Sequence, residues 1–257
     1  MKRASTFRIY LFITLVVFTH GLNGQINGFK KIHWEQEKIA PGLIWKSSHT
    51  VINDSIPQNI NILIINLHKR EIFLSYNPKK NLIISKQATE AGALAAVNAG
   101  FFNIRNGGSA TYIRTGGQIV DTDTVKKWKR NSNMTGSVLV DKNSNVTIEK
   151  AETNSWYDNH PEYADVLVTG PLLLTGKGKT KLPETSLVIN KHPRTSIGKR
   201  GSHTIILVTL DGRTDQAIGM TLGELTDLMI SLRCKDAVNL DGGGSTTMWI
   251  SGKPFNG

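Results

Sequence analysis

Cysteine is almost absent: Cys234 is the only one in 257 residues. No internal disulfide can form, and no metal site can rest on cysteine ligands. That excludes a small disulfide-stapled fold but leaves an oxidising compartment open. Long apolar runs are missing as well. The run at residues 9–18 falls well short of the ~20 residues that span a bilayer. Acidic side chains are few beside basic ones, 20 against 31, for a formal net charge of +11. A basic chain favours anionic partners such as phosphorylated glycans, envelope polymers or membrane surfaces. Helix-turn-helix, zinc-finger and RNA-recognition signatures are lacking, so nucleic acid is not the expected partner. There is no solenoid repeat and no linker rich in proline, glycine or serine, and the length suits a single domain with a real core. Nothing in the sequence sets an oligomeric state.

The start of the chain reads as an export signal. Lys2, Arg3 and Arg8 form a basic opening, residues 9–18 an apolar core, and Gly21 to Gly24 a small, polar finish. Cleavage after Gly24 would leave Gln25 first, in a periplasmic or secreted protein with no stable membrane span. An uncleaved anchor is the alternative, against which the short apolar run argues. The signal carries three of the +11 charges, and the remaining +8 is still basic. The expected division is a signal peptide at 1–24, an N-terminal extension at 25–60 and a domain at 61–257.

Near the other end, residues 237–240 form a short apolar run that delivers Asp241, followed by Gly242, Gly243, Gly244 and Ser245. A carboxylate at a strand end beside bare backbone is a common place for chemistry in proteins built of strands and helices. Two familiar motifs fail. A phosphate-binding loop at Gly176-Lys177-Gly178-Lys179-Thr180 lacks its first glycine, since Leu173 stands there, and a lysine-rich surface loop is the better reading. A nucleophile elbow at Ser245 lacks its last glycine, since Thr247 stands there.

Between these ends the pattern predicts strands at 61–67 and 71–76 joined by a polar turn, and a helix-compatible stretch at 89–94. A short strand follows at 95–97 and leads to Asn98, with Phe101 and Phe102 as core residues and Asn103 as a second amide. Trp34 and Trp45 are expected packing anchors in a region that resists assignment. The basic run Lys126 to Arg130 is a solvated face or the border of an anion cleft. A hairpin is predicted about residues 142–145, irregular chain over 151–164, and strands at 166–168 and 172–174.

Three segments form the candidate site. A strand at 204–210 ends in Asp211-Gly212-Arg213. A helix should follow, with Thr221 and Glu224 at capping-box spacing and Leu222, Leu225, Leu228, Met229 and Leu232 as its apolar stripe. The strand at 237–240 comes next, and a strand–helix–strand order favours a parallel pair with a right-handed crossover. That pairing brings Asp211 and Asp241 to one sheet edge. A hairpin about Gly201 places Arg194 opposite roughly Val208 and His192 near Asp211 and Arg213. Two arginines suit phosphate oxygens, because each presents a planar fork of donors. Paired carboxylates suit glycosidic cleavage, and a phosphate leaving group, itself a stable anion, eases the need for a proton donor.

Taken in order, Asn98 to Asn103, Thr169-Gly170-Pro171, His192-Pro193-Arg194-Thr195, Asp211-Gly212-Arg213 and Asn239 to Ser245 resemble the phosphodiester glycosidase family. The resemblance covers roughly residues 61–251. It implies an α+β domain, a mixed sheet with hairpins and a few helices, that removes a sugar such as N-acetylglucosamine from a phosphate diester. Asp241, Asp211 and Glu224 are the candidate catalytic carboxylates. Asn98, Asn103, His192, Arg194, Thr195, Arg213, Gly242, Gly243, Gly244 and Ser245 are the candidate substrate contacts. No cofactor is required by this reading, with Ca²⁺ as the one cation considered and no ligands assigned to it. Relatives run on through a polar loop to a closing strand, which implies truncation at Gly257 or closure of the sheet by another segment. A non-catalytic binder of anionic envelope glycans is the alternative function. Protein recovered from the cell envelope should begin at Gln25 by mass spectrometry; intact residues 1–24 on that material would overturn the export signal.

Overall fold

The computed structural model describes residues 29, 32–52, 56–76, 83–103, 108–121 and 133–253. Residues 1–24 and the basic run at 126–130 lie outside the described residues.

Strands are numbered along the chain. β1 (Glu35–Ala40), β2 (Leu43–Ile52) and β3 (Ile56–Asn66) form an antiparallel meander. β3 owes its central place to its isoleucines and leucine: Ile60 and Ile62 face one core, Leu63 and Ile65 the other. A strand covered on both faces reads as a near-continuous apolar run. Its free edge takes β13 (Thr204–Leu210), which pairs in turn with β12 (Arg194–Arg200). β14 (Asp236–Asn239), β10 (Leu172–Thr175) and β11 (Gly178–Lys179) complete an eight-stranded sheet ordered β1-β2-β3-β13-β12-β14-β10-β11. A second sheet runs β6 (Gln118–Asp121), β5 (Ile113–Thr115), β9 (Tyr163–Thr169), β7 (Gly136–Asp141), β8 (Val146–Lys150). β15 (Met248–Ile250) pairs with β4 (Ala95–Val97).

Four layers result. Helix α4 (Leu222–Ser231) covers one face of the large sheet, where Leu222, Leu225, Leu228 and Met229 meet Ile206, Val208 and Leu210. The other face packs on the small sheet through Ile205, Leu207, Val138, Val140 and Leu167. Beyond the small sheet, Leu139, Val166 and Val168 meet Tyr157 of the short helix α2 (Asn154–Asp158). The remaining helices are α1 (Ile84–Glu90) and α3 (Ser186–Ile189). The class is α+β, as the family resemblance implies.

α4 is held chiefly by packing. Its capping box is present, with Thr221 Oγ1 accepting from Glu224 N at 3.1 Å and Glu224 Oε2 from Thr221 N at 2.8 Å. Such a cap contributes about 1 kcal/mol. Each of the four buried apolar side chains contributes roughly 1.5–3 kcal/mol, so burial outweighs the cap.

Several expectations need correction. β13 and β14 are not a parallel pair, because β12 stands between them and is antiparallel to both. Every described ladder is antiparallel, so the sheet is not mixed. The tight hairpin about Gly201 keeps β12 beside β13 and leaves the far edge of β12 for β14. Within the hairpin Arg194 faces Leu210, two residues beyond Val208, because Arg200 already pairs with Thr204. Residues 71–76 are extended but unladdered; Leu74 N donates to the Asp165 carboxylate instead. The helix expected at 89–94 lies earlier, at Ile84–Glu90, and 151–164 contains α2, whose N-cap Thr153 accepts from Trp156 N. The loop at 176–180 closes a small ladder between β10 and β11, and Lys179 pairs with the buried Asp227 of α4. Phe101 is buried but Phe102 is exposed. The division at residue 60 falls inside the unbroken β3, and Trp34 and Trp45 pack against the two cores.

Gly198 in β12 marks the closest approach of sheet and helix. A Cβ there would stand 2.4 Å from Met229 Cε and 2.7 Å from Cys234 Sγ. Gly198→Ala should therefore destabilise the fold by about 1–3 kcal/mol through overpacking. A lowered urea midpoint with an unchanged m-value would bear this out; an unchanged midpoint would refute the tight contact.

Candidate functional site

Three chain segments meet at one end of the large sheet. Arg194 pairs with Leu210 and Ser196 with Asn239, so Asp211 and Asp241 leave the sheet on either side of Pro193-Arg194. With β12 between them, their backbones are separated by about two strand spacings, roughly 10 Å. The two aspartates share an end of the sheet without being neighbours. Asp211 is exposed, with its amide tied to Asn59 O at 3.0 Å, whereas Asp241 is half-buried.

Asp241 is held at every backbone atom that can bond. Its N–H donates to Ala99 O at 2.8 Å, and its carbonyl accepts from Asn98 Nδ2 at 2.6 Å. Its Oδ1 accepts the Gly242 amide at 2.9 Å, and the Ser245 hydroxyl bonds to the same carboxylate. Burial opposes ionisation more strongly than these two donors favour it, and the pKa is pushed up to about 6. A carboxyl poised there changes charge close to physiological pH.

The glycines after Asp241 allow backbone to crowd this end of the sheet. Gly243 N donates to Pro193 O at 2.9 Å, and a Cβ on Gly242 would lie 2.8 Å from that same oxygen. Gly243 opens a single 3₁₀ turn, Gly243–Ser245, with φ of 64°. A side chain on Gly243 would meet the guanidinium of Arg213, whose Nη2 lies 3.1 Å from the Cβ position. Arg213 thus lies over the glycine turn.

Arg213 is itself held in place. Its φ of 65° is left-handed, a conformation that costs about 1 kcal/mol or more for a residue with a side chain. Its Nη2 donates to His192 Nδ1 at 3.1 Å. Since a guanidinium can only donate, that nitrogen must be unprotonated, which leaves Nε2–H as a donor. Burial lowers the His192 pKa, and the nearby Arg194 and Arg213 lower it further. Backbone bonds in both directions between His192 and Met220, at 3.2 and 3.1 Å, fix the main chain.

Several candidate residues are engaged by the protein frame. Arg194 is buried, and its Nε and Nη2 donate to the carbonyls of Met220, Leu187 and Asn190 at 2.7–2.8 Å. Burial brings its pKa down to about 10, so it remains charged at neutral pH. It is not the free phosphate fork expected of it. Glu224 has both oxygens engaged, one in the capping box and one with Lys191 Nζ at 2.9 Å, and is not placed as a catalytic acid. Thr195 is fully buried and donates to Asn98 Oδ1 at 2.7 Å. Asn98 Oδ1 also accepts from Thr247 N at 3.0 Å, so this amide ties three segments together. Asn103 bonds through its backbone N to Gly108 O at 2.9 Å, at the neck of a loop whose residues 104–107 lie outside the described residues.

Sequence reasoning missed the support supplied by residues 57–59. Gln58 Nε2 donates to Gly219 O at 2.9 Å, Pro57 O accepts from Ile218 N, and Asn59 O accepts from Asp211 N. These bonds hold the loop that carries Arg213. They run to backbone groups, which leave no mark in a sequence. Among the described residues no cluster of three or more His, Cys, Asp or Glu is placed to hold a metal ion. A cavity of about 1010 Å³ lies between the sheets and reaches the site at Asn98, Ala99, Gly244, Ser245 and Thr247.

A family model described as phosphodiester glycosidase matches residues 91–257. The chain is similar to the SPbeta prophage-derived uncharacterized protein YomE of Bacillus subtilis strain 168, with 33% identity over 111 residues, covering 39% of this chain and 17% of that protein. It is also similar to N-acetylglucosamine-1-phosphodiester alpha-N-acetylglucosaminidase of Bos taurus, with 36% identity over 59 residues, covering 23% of this chain and 11% of that one. The chain thus spans under a fifth of the length of these curated relatives. Among solved structures, the catalytic domain of the zebrafish N-acetylglucosamine-1-phosphodiester alpha-N-acetylglucosaminidase, auto-inhibited by its pro-peptide, superposes with a TM-score of 0.65 at 18% identity, covering 85% of this chain and 78% of that one. A hypothetical protein from Synechocystis gives 0.64 at 16% identity, covering 86% of this chain and 60% of that one. At such identities the structural likeness establishes the fold alone.

The Asp241 shift carries a sign for stability. Its folded-state pKa of about 6 lies above the ordinary 3.8, so protonation favours the folded state. The ionised carboxylate therefore weakens the fold fully above pH 6, and the penalty vanishes below pH 4. Asp241→Asn should raise Tm at pH 7 and leave it nearly unchanged at pH 4. Equal Tm differences at both pH values would contradict the burial of this charge.

Proposed function

Because this chain belongs to the phosphodiester glycosidase family, we propose that it is an exported hydrolase that releases the sugar from a sugar-1-phosphodiester of the N-acetylglucosamine type. The observation that carries the reading is the half-buried Asp241 carboxylate, with its raised pKa, beside a glycine turn overlain by Arg213. The similarity to the bovine enzyme, which is named for that activity, supports the substrate class. The basic and apolar start of the chain, residues 1–24, supports export to the periplasm or beyond.

In this reading ionised Asp241 either attacks the anomeric carbon, forming a glycosyl ester that water then hydrolyses, or takes a proton from the attacking water. The carbon–oxygen bond to phosphate breaks, and its electron pair stays on the phosphate oxygen. The departing phosphate is already a stable anion, so Arg213 has only to offset its charge. His192 is a positioning residue, since its Nδ1 holds Arg213, and its Nε2–H offers one further donor. Arg194 fixes His192 from below by anchoring the start of β12 to Met220 O. Asp211, exposed across β12, is the second carboxylate at this end of the sheet.

The test is release of free sugar from a sugar-1-phosphodiester, measured as kcat/KM across pH. Activity should rise with pH through about 6 as Asp241 ionises. Asp241→Asn should lose ~10²–10⁴-fold. Arg213→Ala should cost the phosphodiester about 10- to 150-fold, as for one charge-assisted hydrogen bond, with little effect on an uncharged glycoside of the same sugar. Tight binding of the phosphodiester without any release of sugar would replace the hydrolase with a glycan binder.

A further inference from the structure

The 1010 Å³ cavity between the sheets is larger than the polar chemistry at Asp241 requires, and its walls are of another kind. Buried core residues, Leu63, Ile65 and Leu207 of the large sheet and Val138 and Leu167 of the small one, form the inner part of its wall. Ordinary small-molecule sites run from about 300 to 1,000 Å³ and are lined mainly by apolar groups with a few polar ones. Of its polar lining residues, Asn98, Ser245 and Thr247 belong to the Asp241 constellation, while His68 to Glu71, Ser75, Gln87 and Ser109 line other parts of the wall.

Large apolar side chains are exposed along the same cavity. Phe73 is 52% exposed, Ile83 73%, Leu94 39% and Phe102 51%, and all four line it. That is four of the eight large apolar residues exposed among the described residues. Single exposed apolar residues are ordinary, but a cluster on one cavity marks an interaction site. The Gly243–Ser245 turn stands between Arg213 on one side and the cavity on the other: Gly243 lies under the guanidinium, and Gly244 and Ser245 line the cavity. A phosphate resting on that turn can be met by Arg213 and still direct its second ester toward the apolar walls.

We infer that the cavity receives an apolar chain, alkyl or isoprenyl, carried on the phosphate of the substrate, so that the enzyme acts on amphiphilic sugar-1-phosphodiesters. This rests on the reading of the site given above for its catalytic part, but its binding part stands on the cavity alone.

Two measurements separate the parts. The first is calorimetric binding of decyl phosphate and ethyl phosphate to the full chain. Decyl phosphate should bind at least about 10-fold more tightly, with a more negative heat-capacity change, since each buried methylene adds to affinity. The Phe73→Ser, Ile83→Ser double variant, altered at exposed positions, should bring the ratio toward one. Equal binding of the two phosphates, or a decyl advantage that survives the double variant, overturns the apolar chain site. The second is hydrolysis of the ethyl and decyl esters of N-acetylglucosamine 1-phosphate. A higher kcat/KM for the decyl ester, mostly through KM, supports the inference. Equal rates, or an advantage found only when the chain is placed on the sugar, overturn the assignment to the phosphate side. If decyl phosphate binds as expected but neither ester is cleaved, the hydrolase reading fails and the apolar site stands.

Discussion

A single half-buried amide sets the geometry on which the site depends. Asn98, at the end of β4, donates to the carbonyl of Asp241 and accepts from the Thr195 hydroxyl and the Thr247 amide. One side chain therefore joins the exit of β14, the start of β12 and the return of the chain into β15. An asparagine can do this because it presents a donor and an acceptor from one planar group. An aspartate would lose the donor and add a charge beside a carboxylate already short of solvation. The half-buried position of Asp241 follows from this fixation. Its backbone is held to Ala99 and Asn98, so the carboxylate leaves the sheet from a fixed point.

The same end of the sheet shows how buried polar groups divide between frame and chemistry. Arg194 and Glu224 are the more enclosed charges; Arg194 bonds protein carbonyls through Nε and Nη2, and Glu224 uses both carboxylate oxygens. Arg213 and Asp211 are exposed, and Arg213 is anchored through His192. Residues with strong internal partners fix positions, while those with fewer remain available to a ligand. Position along the chain does not distinguish the two sets, since Arg194 and His192 are two residues apart.

Much of the fold was legible because local signals agreed. The capping box and apolar stripe of α4, the hairpin about residues 142–145 and the β-branched run of β13 each carry their own pattern. The insertion of β12 between β13 and β14 was not legible, because the choice of edge for β14 is non-local. It depends on Gly198 leaving room for Met229 and Cys234, a contact between residues more than thirty positions apart. Residues 71–76 have strand composition but bond to the Asp165 side chain in place of a ladder. In the site, the Gly242–Gly243 turn and the two aspartates could be read from residue type. The frame role of Arg194 could not, because its partners are carbonyl groups that every residue possesses.

The outer boundary of the large sheet bears on how these molecules behave in company. β1 is one edge, and Glu35, Gln36, Glu37 and Lys38 along it are exposed. The opposite edge, β11, is only two residues long. Neither offers a long apolar template for a strand from another copy, and charge on an edge opposes such pairing. Copies of the chain thus meet through large-sheet edges unsuited to polymerisation, and crowding at those edges need not lead to fibres.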